Sequence, residues 1–92
     1  MNARAESRVR RDFPDPEVAA VVIELLEEWG RACREWDAGR VQTAIVLGAA
    51  GDVDRLLALI ELAYIDYRDV LVGTGFADED WKERMAAALG PE

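Results

Sequence analysis

The sequence predicts an all-α protein, a compact bundle of three to four helices. Apolar residues recur at spacings of three and four along most of the chain, and aspartates and glycines stand where helices would begin and end. With 92 residues, 51% hydrophobic and 33% charged, the chain has the size and composition of one folded domain. We expect residues 13–92 to form this domain and residues 1–12 to be a short disordered basic arm.

The first helix is predicted to begin at Asp15-Pro16, with the aspartate as N-cap and the proline at the first helical position. Gly30 interrupts its pattern at a cost of about 1 kcal/mol relative to alanine, so we expect a bend there or a close approach of another backbone. One apolar stripe follows at helical spacing: Val18, Val22, Leu25, Trp29, Ala32 and Trp36.

Two further helices are predicted in the middle of the chain. Asp37-Ala38-Gly39 ends the first helix, and residues 40–50 form a short second one with Val41, Ala44, Ile45 and Gly48 on one face. Gly51-Asp52 caps a third helix from Val53, which ends at Gly73-Thr74-Gly75. Its apolar stripe is the most regular in the chain: Leu56, Leu57, Ile60, Ala63, Tyr64, Tyr67, Val70 and Leu71.

Asp78 is predicted to cap a last helix, with Glu79 and Asp80 in its first turn. The apolar residues of this helix are Trp81, Met85, Ala88 and Leu89. Gly90-Pro91 ends it, because neither residue favours continuation of a helix.

Residues 45–54 also allow a different interpretation, a strand and glycine turn opening a dinucleotide-binding unit, with residues 69–75 as its second strand. The third glycine of that fingerprint is missing, and two strands cannot form the buried parallel sheet that the fold requires. Helical spacing runs without interruption from Ile60 to Leu71, so the helical interpretation is favoured.

The chain contains no histidine, which limits its chemistry. Histidine is the one side chain whose unperturbed pKa lies near neutrality, so Ser-His-Asp and Cys-His schemes are excluded within one chain. Histidine-ligated zinc and di-iron sites of the Glu-x-x-His type are excluded for the same reason. Cys33 is the single cysteine and has neither histidine nor lysine near it in sequence, so we expect a small apolar residue rather than a reactive thiolate. We expect no cofactor.

Charge and hydropathy restrict the partners. Residues 1–11 contain four arginines and one glutamate and carry a net charge of +3. The whole chain has a net charge of −8, so the remaining residues carry −11. A body this acidic repels phosphate backbones, and we expect no nucleic-acid partner. No apolar run approaches the roughly 18–20 residues that span a bilayer, and no apolar signal segment precedes Phe13. We expect a cytoplasmic protein without a membrane partner.

Paired carboxylates on the predicted helices raise the alternative that the chain is a metal-dependent enzyme. Glu24 and Glu27 lie one turn apart on the first helix, and Asp66 and Asp69 lie one turn apart on the third. Oxygen ligands suit Mg²⁺, and two such helices would resemble the all-helical nucleotide pyrophosphohydrolases with their Glu-x-x-Glu and Glu-x-x-Asp motifs. The resemblance implies Mg²⁺-dependent hydrolysis, but Asp66 stands where that family has glutamate. A solvated acidic face is the simpler interpretation.

The three tryptophans, Trp29, Trp36 and Trp81, lie on the apolar stripes. Burial in the core is the simplest account of large aromatics at helical spacing. The alternative is a partner surface, since Trp29 and Trp36 are seven residues apart on a stripe that is long for a small domain.

Residues 66–71, with the sequence DYRDVL, resemble a segment of small bacterial helical proteins, as do the preceding Arg40-Val41-Gln42 and Gly51-Asp52. The resemblance implies helix over the second half of the chain and carries no activity, cofactor or binding residue. Together these observations favour a non-enzymatic module that binds a second copy of itself or another protein, including a basic one. The Mg²⁺-dependent hydrolase is the alternative.

Overall fold

The computed structural model describes residues 1–33 and 37–90, and these residues form helices and turns without a strand. They contain five helices: α1 (Ala3–Asp12), α2 (Pro16–Ala32), α3 (Ala38–Ala49), α4 (Val53–Thr74) and α5 (Trp81–Leu89). The all-α prediction is confirmed, and the predicted number of three to four helices is wrong. The dinucleotide-binding alternative is also wrong, because its two strands fall within helical segments of α3 and α4.

The additional helix is α1, in the segment predicted to be a disordered basic arm. The Asn2 side chain accepts a hydrogen bond of 2.8 Å from the backbone N–H of Ala5, which caps the helix. Ala5 and Val9 are completely buried, so one side of α1 belongs to the core. Arg10 and Arg11 stand in the last turn, where their charge favours the helix dipole. Arg8 also donates a 2.7 Å hydrogen bond to the carbonyl oxygen of Ala88, so α1 is held by apolar contacts with the core and by a polar contact with α5. The arginines between Ala5 and Val9 and after them hide this short apolar pattern in the sequence.

Helix α2 buries a face slightly rotated from the predicted one. Val18 and Leu25 are only half-buried and Ala32 is exposed, while Trp36 lies outside the described residues. Ile23 and Leu26, which the predicted stripe omitted, are in the core. The buried residues of the helix are Ala19, Val22, Ile23, Leu26 and Trp29.

Helix α3 lies at the centre, with the other four helices packed against it. Gly30 of α2 marks a close approach, as predicted, but the approaching group is a side chain rather than a backbone. A Cβ on Gly30 would lie 2.5 Å from Nε2 of Gln42. That buried Nε2 donates a 2.8 Å hydrogen bond to the carbonyl oxygen of Leu26, so α2 and α3 are joined by a polar contact inside the core.

Helix α4 is kinked, whereas the sequence predicts an uninterrupted helix. Asp66 has φ −159° and ψ 104°, which is extended backbone between two helical segments. Its carboxylate accepts a 3.0 Å hydrogen bond from the backbone N–H of Arg68, so it caps the second segment locally. A Cβ on Gly48 would lie 3.1 Å from Leu59 and 2.7 Å from Thr74, so both segments of α4 pack closely on α3.

The predicted stripe of α4 is only partly buried. Leu57 and Tyr64 are exposed, and Tyr67 is half-buried. The residues of this helix in the core are Leu56, Ile60, Ala63, Val70 and Leu71.

Helix α5 begins later than predicted. Its N-cap is Asp80, which makes no side-chain capping hydrogen bond, and Asp78 instead accepts the N–H of Trp81 through its carbonyl oxygen at 3.1 Å. Met85 is the buried residue of this helix. Among the described residues, no helix combines the length and apolar character needed to cross a bilayer.

Candidate interaction surface

An apolar surface runs along the junction of α2 with the first segment of α4. We call it the α2–α4 face and define it by six residues: Val18, Val21, Leu25, Val53, Leu57 and Tyr64. Four of them are strongly exposed, at 56% for Val21, 44% for Val53, 47% for Leu57 and 54% for Tyr64. The other two are half-buried. Isolated exposed apolar residues are ordinary on a protein surface, whereas a large contiguous set is a candidate interaction site.

A groove of about 430 Å³ lies within this face. Buried Val22 of α2 and Leu56 of α4 lie at the groove, beneath the more exposed residues of the face. Among the residues that the structure describes, Glu17 is the one charged residue that lines it. The groove therefore offers contact to apolar side chains rather than groups that act on a substrate.

A second cavity, of about 530 Å³, continues the junction of these helices toward the kink. Trp29 and Cys33 line it from the α2 side, and residues 63–68 line it from the α4 side. The beginning of α2 thus lies beside the beginning of α4, and the end of α2 lies beside the kink. Together the groove and this second cavity follow α2 from Val18 to Ala32, about 20 Å at the rise of an α-helix.

Acidic residues flank the α2–α4 face on both outer sides. Glu17, Glu24 and Glu28 are exposed and fall on one row of α2 beside Val21. Asp54 and Glu61 are exposed on α4, three residues before and four residues after Leu57. On each helix the apolar residues therefore lie between the core and an acidic row.

The structure does not assemble the four carboxylates of the Mg²⁺ alternative. Glu24 is exposed, and Glu27 lies 4.0 Å from the amino group of Met1. Asp66 sits at the kink, so Asp66 and Asp69 do not follow one another on a regular helical turn. Within residues 1–33 and 37–90, no three aspartate, glutamate or cysteine side chains form a group that could hold a metal ion.

Asp66 is instead engaged by its neighbour. The Arg68 guanidinium donates from Nε and Nη2 to the two oxygens of the Asp66 carboxylate, at 3.0 Å each, in addition to the Arg68 backbone N–H. The side-chain hydrogen bonds first, and the backbone one second, lower the pKa of Asp66 from its ordinary value, and the side-chain contact raises the pKa of Arg68. Asp66 is therefore ionised at neutral pH and braces the kink.

The tryptophans have different environments. Trp29 is 2% exposed and packs in the core, as the simpler interpretation expects, so it offers almost no surface to a partner. Trp81 is half-buried, with the Arg40 guanidinium 4.4 Å from its ring centroid and the Lys82 ammonium at 5.5 Å. Trp36 lies outside the described residues.

Sequence reasoning missed the α2–α4 face. The signal available was the breadth of the apolar arc, since Leu57 and Tyr64 adjoin Leu56 and Ile60 on α4 and widen its stripe beyond one line of contact. Comparisons with protein-family models, curated proteins and solved structures find no match to this chain. The resemblance of residues 66–71 to small bacterial helical proteins stays a prediction.

Proposed function

We propose that this chain is a non-enzymatic interaction module that binds a second copy of itself or another protein through the α2–α4 face. The observation that supports the proposal is the exposure of Val21, Val53 and Leu57 along a groove lined almost entirely by apolar residues. Removal of apolar surface from water favours association, so a partner that covers these side chains gains free energy from the contact. A cytoplasmic location belongs to the same proposal, because Cys33 is a free thiol.

The chemistry of the face agrees with binding rather than turnover. Catalysis needs groups whose protonation or nucleophilicity is tuned to the reaction, and catalytic pKa values lie near the working pH. Val18, Val21 and Leu25 on one wall and Val53 and Leu57 on the other provide none. The arrangement instead matches recognition of an amphipathic helix, in which a groove takes apolar side chains that recur every three to four residues.

The test uses a matched pair of valines. Val21 in the face and Val72 at the end of α4 are both helical and exposed, at 56% and 69%, and Val72 does not line the groove. Glutamine at either position keeps a good helix former and removes apolar surface. Sedimentation velocity over a range of concentrations measures self-association. Titration with an uncharged amphipathic helical peptide of leucine, alanine and glutamine measures binding of another chain.

We expect at least one of the two associations, weakened about three- to tenfold by Val21→Gln and unchanged by Val72→Gln. A chain that stays monomeric and binds no peptide would refute the proposal. Equal weakening by the two substitutions would refute the assignment of the α2–α4 face.

A further inference from the structure

We infer that the occupant of the α2–α4 face is a basic amphipathic helix of another protein, an inference that rests on the proposed function. Two features of the face lead to this partner. The groove between Val21 and Leu57 requires an apolar stripe, and the acidic rows on both sides require positive charge next to that stripe. A helix with leucine-like residues on one face and Lys or Arg beside them has both properties.

The acidic row on α2 is continuous with the groove wall. Glu17 itself lines the groove, and Glu24 and Glu28 follow it at spacings of seven and four residues, which keeps them on the same side of the helix. Val21 lies beside that row, between Glu17 and Glu24 in sequence, and is 56% exposed. A helix seated on Val21 would therefore pass within reach of three carboxylates.

The opposite wall repeats this arrangement. Asp54 and Glu61 are seven residues apart on α4, with Leu57 between them, and both are exposed. Arg55 is near the opposite side of the helix from Leu57, so it does not offset their charge at the groove. Long Lys and Arg side chains can lay their methylene groups along the apolar wall and place their charges at these rows.

The dimensions of the face suit a short helix. Its α4 side, from Val53 to Tyr64, covers about 17 Å, which corresponds to roughly three helical turns of a partner. Such a partner presents apolar anchors at i, i+3 or i+4, and i+7, and Lys or Arg on both flanks of that stripe.

A second copy of this chain fits the face poorly. A two-fold dimer through the α2–α4 face would bring acidic rows of the two copies together, and like charges across an interface oppose association. Within residues 1–33 and 37–90, the helix with the highest net positive charge that a second copy could offer is α1. Its apolar residues Ala5 and Val9 are completely buried in its own core, so α1 has no free apolar stripe to place in the groove.

The experiment compares three peptides of roughly 18 residues that share one leucine stripe and differ in the flanking residues, which are lysine, glutamine or glutamate. Binding to the full chain is measured by fluorescence anisotropy of a label on the peptide. We expect the lysine peptide to bind about tenfold more tightly than the glutamine peptide, and the glutamate peptide to bind most weakly. Added salt should reduce the advantage of the lysine peptide, because exposed charges are screened.

Matched charge variants test which carboxylates of the chain attract the lysine peptide. Glu24→Gln with Glu61→Gln removes one carboxylate from each acidic row. Glu79→Gln with Glu83→Gln removes the same charge from exposed positions at the start of α5. We expect the first pair to reduce the preference for lysine over glutamine peptides to about twofold or less, and the second pair to leave it largely intact.

The outcomes separate this inference from the proposed function. Equal affinity for the lysine and glutamine peptides, with binding still lost in Val21→Gln, would overturn the basic helix and leave the interaction module standing. Self-association that is lost in Val21→Gln would also overturn the basic helix and leave the interaction module standing. Equal loss of preference in both glutamate pairs would overturn the inference, because the attraction would then come from overall charge. If the chain is monomeric and binds no peptide, both proposals fail.

Discussion

Helix α3 and the α2–α4 face are built from similar residues and have opposite surroundings. Six consecutive residues of α3, from Val41 to Val46, are buried, because helices pack around α3 from several directions. On the α2–α4 face, Val21, Val53 and Leu57 are each more than 40% exposed. Apolar composition therefore does not determine burial; the presence or absence of a neighbouring helix does.

Polar residues sharpen the contrast. Gln42 and Thr43 lie in the buried run of α3, and each donates to a backbone carbonyl, of Leu26 at 2.8 Å and of Gly39 at 2.9 Å. Among the described residues, no buried side-chain nitrogen or oxygen lacks a hydrogen-bond partner. The centre of the bundle thus accommodates polar groups, while an apolar surface faces solvent at its edge. We expect this arrangement, with polar groups at the centre and apolar side chains at the edge, if a second protein covers the α2–α4 face.

The strongest test of the comparison truncates one aliphatic residue in each region. Ile45 is completely buried and Leu57 is 47% exposed. Ile45→Ala should lower the free energy of unfolding by about 2–5 kcal/mol, because it removes buried methyl groups and leaves a cavity. Leu57→Ala should lower it by less than about 1 kcal/mol. Urea denaturation followed by circular dichroism measures both losses. Equal losses would show that Leu57 contributes as much to the fold as buried Ile45 does.

Much of this arrangement follows from sequence, and the exceptions have physical causes. Helical spacing identifies which residues share a face, so α2, α3, α4 and α5 were predicted within a few residues. Spacing does not reveal whether a face is covered, which is why Leu57 and Tyr64 were predicted to belong with buried Ile60. The kink at Asp66 depends on a local hydrogen bond from Arg68, and helical periodicity carries no signal of that contact.

A pair of glycine substitutions tests the polar contact at the centre of the bundle. A Cβ on Gly30 would displace the Gln42 amide from its hydrogen bond to Leu26, whereas a Cβ on Gly39 would meet nothing within 4 Å. An unsatisfied buried amide costs about 1–3 kcal/mol, which exceeds the roughly 1 kcal/mol that alanine gains over glycine in a helix.

We therefore expect Gly30→Ala to destabilise the chain and Gly39→Ala to stabilise it by up to about 1 kcal/mol. Thermal unfolding measures both variants. A stabilised Gly30→Ala variant would show that the Gln42 contact contributes little to the centre of the bundle.

The smallest effect concerns the kink that ends the α2–α4 face. The pKa of Asp66 is lowered in the folded chain by Arg68, relative to an ordinary value of 3.8. The stabilising contribution is therefore complete above pH 3.8 and is lost as the pH falls through the lower folded value. Asp66→Asn and Arg68→Gln should each remove this acid-dependent part of the stability. Thermal unfolding midpoints between neutral and strongly acidic pH measure this loss of stability. Parallel pH profiles for wild type and Asp66→Asn would contradict the stabilising role of Asp66 at the kink.

The most direct measurement of the central claim is the location of peptide binding on the chain, followed by nitrogen–proton correlation spectra as the lysine peptide is added. The perturbed amides should concentrate in residues 17–28 and 53–64, while those of α5 stay in place. Perturbations concentrated on α5 or α1, or unchanged spectra at high peptide concentration, would contradict it.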